Sequence, residues 1–260
     1  MTNALIKLEV SNGLARLTLA NPAAGNVLNM AAIEELAQAV ERLKAQTPRA
    51  VLLSAEGKNF CVGGDIRSFS SAPDRGALLE QMAGRLHESV AALAALPAPV
   101  IAVVQGAAAG AGLSLVAGAD LVLAGRNANF TMAYTGIAFS PDGGATYFLP
   151  RLIGLRRTQE MALTNRRLSA EEALLWGLVT KVVDDDQLAA EGEALAQRIA
   201  AGPSFAFGAV KKLLNDGATR NLVTQLAAET QAIAATARSE DAGEGLAAFL
   251  ERRPSKFKGY

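Results

Sequence analysis

At 260 residues, half of them hydrophobic, the chain can bury one large core with or without an appendage. Its 25 basic and 25 acidic side chains cancel, which excludes the clustered positive charge that broad nucleic-acid binding needs. A single cysteine excludes an intramolecular disulfide, and one cysteine with one histidine is a poor ligand set, so no metal site is expected.

Met1 to Lys7 lacks a basic stretch followed by an apolar core, so no signal peptide is read there. Ile6 to Val10 and Leu14 to Leu19 read as strands around a Ser11-Asn12-Gly13 turn. Met30 to Leu43 has Ile33, Leu36, Ala37, Val40 and Leu43 at helical spacing, and Ala50 to Ser54 is a short buried strand. Gly76 to Leu96 predicts a helix that stops at Pro97-Ala98-Pro99. A strand at 100–104, a helix from about 110 and a strand at 121–124 follow. Strands alternating with helices point to an α/β fold with largely parallel pairing. From Gln187 the pattern is wholly helical, with candidates at 188–199, 205–214, 222–236 and 243–249. Several faces there are too apolar for a lone helical tail, and a docked appendage is expected. The long apolar run from Val100 to Ala119 is broken by Gln105, Ser114 and glycines and closed by Asp120. It reads as buried strand and helix rather than a membrane span. The expectation is a soluble cytoplasmic protein with no membrane partner.

Pro99 to Ser114 (PVIAVVQGAAAGAGLS) is the most informative stretch. Its apolar strand runs into a Gly/Ala turn that opens a helix, where backbone N–H groups are unpaired and can meet an anion. A second candidate donor loop, Phe60 to Ile66 (FCVGGDI), follows the strand at 50–54.

Four segments together resemble the crotonase superfamily, that is, the enoyl-CoA hydratase/isomerase family. They are Leu19 to Asn29 (LANPAAGNVLN), Asn59 to Arg67 (NFCVGGDIR), Pro99 to Ser114, and Phe130 to Arg151 (FTMAYTGIAFSPDGGATYFLPR). Ser169 to Val183 and Phe249 to Gly259 fit as well. The resemblance covers essentially the whole chain. It implies a crotonase-like spiral of ββα units over residues 1–195 and a helical trimerisation region over 196–260. A homotrimer or a dimer of trimers is the implied assembly. It also implies an acyl-CoA thioester substrate, with coenzyme A as part of the substrate and no separate cofactor. The thioester carbonyl would be held by the amides of Gly64 and Ala111. Each such donor contributes about 2.7–4 kcal/mol in well-studied oxyanion holes.

The family's hydratases carry two glutamates at the positions that hold Ser114 and Tyr134 here. Neither is a carboxylate, so ordinary two-glutamate hydration is not expected. Ser140-Pro141-Asp142-Gly143-Gly144 instead resembles the loop that supplies a single catalytic aspartate in some family isomerases, including those of bacterial phenylacetate degradation. A lone carboxylate suits moving a double bond. A second reading makes Asp142 an N-terminal complement to a helix capped by Ser140. A third follows the family's 4-halobenzoyl-CoA dehalogenases, with Asp142 as nucleophile and His87 as base, although a tryptophan of those enzymes is Tyr134 here. A non-catalytic acyl-CoA-binding scaffold is a further alternative.

The resemblance places Val62, Asp65, Ile66 and Arg67 near the adenine and pantetheine of coenzyme A, with Gly110 beside the donor loop. Tyr134 and Phe139 would shape the acyl pocket. Basic residues that the family often has after the first strand pair are Asn21 and Gly25 here, so Lys256 and Lys258 of the C-terminal tail are the candidates to meet phosphate. Cys61 reads as a small apolar neighbour of its loop rather than a nucleophile.

Overall fold

The hairpin turn is where the composition placed it: Asn12 and Gly13 have φ of +51° and +75°, joining β1 (Ile6–Ser11) to β2 (Leu14–Leu19) in antiparallel register. The computed structural model describes residues 4–260, so Met1 to Asn3 of the leader reading lie outside it. A 3-10 turn (Pro22–Ala24) leads to α1 (Met30–Gln46). There the Asn29 side chain accepts the Ala32 N–H at 2.9 Å, while Ile33, Leu36, Ala37, Val40 and Leu43 are buried along one stripe. The chain then runs through β3 (Ala50–Ala55), α2 (Ile66–Ser71), α3 (Arg75–Ala95), β4 (Val100–Val104), β5 (Ala107–Ala109) and α4 (Ala111–Ala117). Next come β6 (Leu121–Gly125), β7 (Asn129–Thr131), a 3-10 turn (Thr135–Ile137), α5 (Ala145–Ile153) and α6 (Leu155–Thr164). The remainder is β8 (Leu168–Ser169), α7 (Ala170–Trp176), β9 (Lys181–Val183), α8 (Leu188–Ala200), α9 (Ser204–Gly217), α10 (Leu222–Ala237) and α11 (Glu240–Glu251).

Two sheets share these strands. The larger has the order β1-β2-β3-β4-β6-β9, parallel throughout except for the opening hairpin. The smaller has the order β5-β7-β8, and Cys61 joins it by a bridge to Ala108. Each turn of the chain therefore lays a strand in the large sheet, then a short one in the small sheet, then a helix. β4, β5 and α4 form one turn, and β6, β7 and α5 the next. This is the spiral of ββα units that the resemblance implied.

The inner strands are apolar on both faces because both faces are covered. Val51 and Leu53 of β3 point into the main core with α1 and α4, whereas Ala50 and Leu52 join Ile101, Val103 and Leu123 in a second cluster. Leu188, Ala196 and Ala200 of α8 close that second cluster. The boundary read at 195/196 thus falls inside a helix that belongs to the core. Helical period alone places no break inside or at the end of α8, because the helices after it repeat the same spacing.

One buried cation ties the helical region to the sheets. Lys211 on α9 is 7% exposed and donates to the carbonyls of Leu93 and Ala98 (3.2 and 3.3 Å) and to Asp120 Oδ2 (2.7 Å). Asp120 Oδ2 also accepts the Val100 N–H at 2.7 Å. Three protons meet three acceptors, so the ammonium is satisfied without water. Outside this anchor, α10 and α11 leave large apolar side chains uncovered in the single chain, with Phe249 82% and Leu250 79% exposed.

Replacing Lys211 by Ala leaves the Leu93 and Ala98 carbonyls without this donor, while the solvent-accessible Asp120 keeps the Val100 N–H. Lys211→Ala is expected to lower unfolding free energy by about 1–3 kcal/mol in urea denaturation. A midpoint and slope equal to wild type would show that the anchor contributes nothing.

Candidate active site

The site is built where two loops leave the small sheet side by side. Cys61 donates its N–H to Ala107 O (3.0 Å) and accepts from Ala109 N–H (2.9 Å), so the Phe60–Val62 segment runs as a parallel neighbour of β5. Gly63-Gly64 follows the first strand, and Gly110-Ala111 follows the second. Gly112 fixes how close they come: a Cβ there would stand 2.7 Å from Cys61 Cβ and overlap the Cys61 carbonyl oxygen. Only a glycine lets α4 start against that backbone.

Three amide side chains hold the loops from behind. Asn26 is buried, accepts the Asn21 N–H (2.8 Å), and donates to the carbonyls of Glu56 and Asn59 (2.9 Å each). Asn59 Oδ1 accepts the Ala107 N–H (3.1 Å), and Gln105 Nε2 donates to Ala55 O (2.7 Å) and Gly57 O (3.1 Å). The sequence reading missed this network, because an Asn or Gln between strands looks the same whether it faces solvent or pins a carbonyl. Leu28 N–H to Gly63 O (2.9 Å) and Gly110 N–H to Thr131 O (3.1 Å) complete the framework.

Among the described residues, neither the Gly64 nor the Ala111 N–H has a backbone or side-chain acceptor in the chain. Both residues line one cavity of about 530 Å³, walled by apolar groups such as Leu28, Ile33, Phe69, Met82 and Phe139. Two free donors in a largely apolar hollow are suited to an oxygen that gains negative charge.

Asp142 opens on the same cavity. Tyr134 donates its phenol to Asp142 Oδ1 at 2.6 Å, and Ser114 Oγ donates to the Asp142 main-chain oxygen at 2.9 Å. Ser114 is fully buried, and burial followed by the charge of Asp142 pushes the Tyr134 phenol above its ordinary range, so it remains a donor. His87 Nε2 accepts the Gly143 N–H at 3.0 Å and lies 4.0 Å from Asp142 Oδ2. Gly143 and Gly144 turn the chain with φ of +63° and +83° before α5 begins at Ala145. Ser140 therefore does not cap that helix, since the two-glycine turn separates Asp142 from its first residue.

The family model described as Enoyl-CoA hydratase/isomerase matches residues 9–260. The chain belongs to the enoyl-CoA hydratase/isomerase family. It is 40% identical over 255 residues to a Rhodobacter capsulatus protein named "Probable enoyl-CoA hydratase", covering 98% of each chain. It is 39% identical to the 1,2-epoxyphenylacetyl-CoA isomerase of Escherichia coli, covering 96% of this chain and 97% of that one. The crystal structure of enoyl-CoA hydratase from Bacillus anthracis superposes with a TM-score of 0.93 at 30% identity, covering 98% of this chain and 100% of that one. Relatives named as hydratases and as an isomerase thus stand equally near, and family membership alone does not choose the reaction.

Within this family member, Gly64, Ala111, Gly110, Val62, Ile66, Tyr134, Phe139 and Asp142 all line the cavity. Asp65 and Arg67 do not line it. Asp65 caps α2 instead, accepting from Ser68 Oγ (2.6 Å) and Arg67 N–H (3.1 Å), and the Ser68 hydroxyl holds its carboxyl below the usual range. Lys256 and Lys258 are also outside this cavity in the single chain. Their main-chain N–H groups bond to Glu244 and Asp241 of α11, and Lys258 Nζ pairs with Glu240 at 3.2 Å. Cys61 is fully buried and its thiol is pushed up to about 12 by that burial, as suits packing rather than attack. Glu80 of α3 reaches the cavity wall and was not foreseen; an isolated helix-face glutamate carries no sequence signal. Among the described residues, no three His, Cys, Asp or Glu side chains are grouped to hold a metal ion, and no helix is long and apolar enough to cross a membrane.

Gly112→Ala puts a methyl group into the Cys61 backbone, where no flexible side chain can yield. It is expected to cost about 1–3 kcal/mol of stability by chemical denaturation, and an unchanged midpoint would mean the two loops are not locked there.

Proposed function

We propose that the protein is an acyl-CoA-processing isomerase that shifts a double bond along an enoyl-CoA through a dienolate. The observation that carries this reading is a single held carboxylate, Asp142, facing the same cavity as the two free amides of Gly64 and Ala111. The thioester oxygen would sit between those amides, and coenzyme A would be part of the substrate. Asp142 takes a proton from one carbon of the enoyl chain, so a C–H bond breaks and an O–H bond forms. The electron pair spreads over the chain and onto the thioester oxygen, where the two N–H groups stabilise it. The Asp142 carboxylic acid then returns the proton two carbons away, and the enzyme regains its starting form. No water needs activation, which agrees with neutral Ser114 and Tyr134 where the resemblance places hydratase glutamates.

The aryl-CoA hydrolase reading keeps Asp142 but makes it a nucleophile and needs His87 as a base. His87 is close enough to be considered. Its Nε2, the nitrogen near Asp142, already accepts the Gly143 N–H, so its lone pair is occupied. That geometry supports His87 as a support for the Asp142 loop instead. The non-catalytic scaffold alternative has no observation in its favour beyond the missing glutamates.

Asp142→Asn is expected to reduce conversion of a 3-enoyl-CoA to its 2-enoyl isomer by about 10²–10⁴-fold. Conversion at the wild-type rate would sink the role of Asp142. His87→Gln keeps an acceptor for Gly143 and is expected to retain most activity, whereas His87→Phe loses it. Equal loss of isomerisation in both variants would contradict a role for His87 limited to holding the Asp142 loop.

The uncovered apolar faces of α10 and α11 support a homo-oligomer, a trimer or a dimer of trimers, as the working assembly. Sedimentation is expected to give a mass of three or six chains, falling in the double variant Phe249→Asp/Leu250→Asp. A monomeric wild type would overturn this assignment.

A further inference from the structure

The two side chains nearest Asp142 on its inner side are both neutral, and both touch it. Tyr134 OH and Ser114 Oγ lie 3.3 Å apart, the first on the Asp142 carboxylate and the second on its main-chain oxygen. Tyr134 is presented by a turn whose preceding residue, Ala133, has φ of +59°, an uncommon conformation for alanine. Its ring lies over the donor loop: Tyr134 Cζ is 3.9 Å from where a Cβ on Gly110 would stand. One side chain therefore touches both the helix that begins at Ala111, through Ser114, and the carboxylate.

We infer that Tyr134 is the positioning residue of Asp142, its phenol clamping Oδ1 so that Oδ2 makes both proton transfers. This rests on the isomerase reading and goes beyond lining an acyl pocket. A carboxylate that serves two carbons in turn must stay near both without rotating out of reach, and small misplacements of a reacting group are costly. The short phenol hydrogen bond supplies that restraint on one oxygen. Ser114 fixes the main chain beneath it, and Gly143 N–H on His87 fixes the next residue.

The step balances on Oδ2. The substrate C–H breaks, its proton binds Oδ2, and its electron pair enters the dienolate. The phenol keeps its proton and continues to donate to Oδ1, now the carbonyl oxygen of a neutral acid. On return, the Oδ2–H bond breaks and the new C–H forms. Tyr134 is never ionised, in keeping with a phenol held above its ordinary range by burial and by Asp142. It acts through Asp142 and not on the substrate.

The groups that face Asp142 are Tyr134, His87 at 4.0 Å from Oδ2, and Glu80 on the wall of the shared cavity. Tyr134→Phe leaves the last two in place and keeps the ring, so a difference from wild type reports the hydroxyl. Kinetics on a 3-enoyl-CoA in wild type, Tyr134→Phe and Asp142→Asn form the test. Tyr134→Phe is expected to lower kcat roughly ten- to a hundredfold, the range of a lost hydrogen bond to a charged group. KM should stay within about threefold, because thioester contacts are untouched. A merely structural tyrosine would lower the amount of folded enzyme and leave kcat per folded molecule unchanged.

Infrared difference spectra at a single pH give the same answer without turnover. The carboxylate stretching bands that disappear in Asp142→Asn should shift in frequency in Tyr134→Phe relative to wild type, because one oxygen has lost its donor. If Tyr134→Phe does not fold, 3-fluorotyrosine in place of Tyr134 serves instead; its stronger donor should shift the same bands in the opposite direction. Unmoved bands together with an unchanged kcat overturn the positioning role. Full isomerase activity in Asp142→Asn overturns the isomerase reading itself. Loss in Asp142→Asn beside wild-type behaviour in Tyr134→Phe overturns only the inference drawn here.

Discussion

The close approach of α4 to the Cys61 backbone, possible only because residue 112 is glycine, is the constraint on which the rest of the site depends. It seats two loops from different turns of the spiral side by side and faces the Gly64 and Ala111 residues onto one cavity. Small-sheet pairing through Cys61 sets the register, and Asn26, Asn59 and Gln105 satisfy the carbonyls that the crossing loops expose. An unpaired buried N–H is normally a liability. Here the Gly64 and Ala111 N–H groups have no acceptor within the described residues and line one cavity, the arrangement on which the proposed hold on a thioester oxygen rests.

The chemistry is then decided by what faces the donors. A carboxylate beside a neutral phenol and a neutral hydroxyl can accept and return a proton, and among the described residues no second carboxylate is hydrogen-bonded to it to share the work. The cavity wall is otherwise mainly apolar, which under the proposed reaction would limit the water that competes for a dienolate. Restraint of Asp142 comes from three directions: the phenol on its carboxylate, Ser114 on its carbonyl, and His87 on the next amide. The two-glycine turn beyond it separates the loop from α5, so the helix start does not claim the carboxylate.

Much of this was legible in the sequence. Alternating strand and helix periods pointed to the α/β class, a local signal because apolar runs in covered strands follow from short-range physics. The spiral and the roles of Gly64, Ala111 and Asp142 came from the resemblance of four segments in order; the spiral is present, and the three residues line one cavity. Contacts between distant segments were not legible. Nothing in helix-face spacing says that His87, which does not line the cavity, meets the Asp142 loop or that Glu80 reaches the cavity wall, and Tyr134 reads as a pocket aromatic until its hydroxyl is seen on Asp142. Asp65 and the tail lysines were assigned to coenzyme A by resemblance. In the single chain Asp65 caps α2 and Lys258 pairs with the exposed Glu240, local contacts that helix-cap and charge spacing alone do not reveal.

The central claim is that one carboxylate moves a proton along a thioester-activated chain without activating water. Mass spectrometry of the product formed from a 3-enoyl-CoA in ¹⁸O-labelled water tests it most directly. The account predicts a 2-enoyl-CoA with the double bond moved and no label in the acyl chain. A labelled hydroxyacyl-CoA as the first product, formed at a rate equal to or above isomerisation, would contradict it.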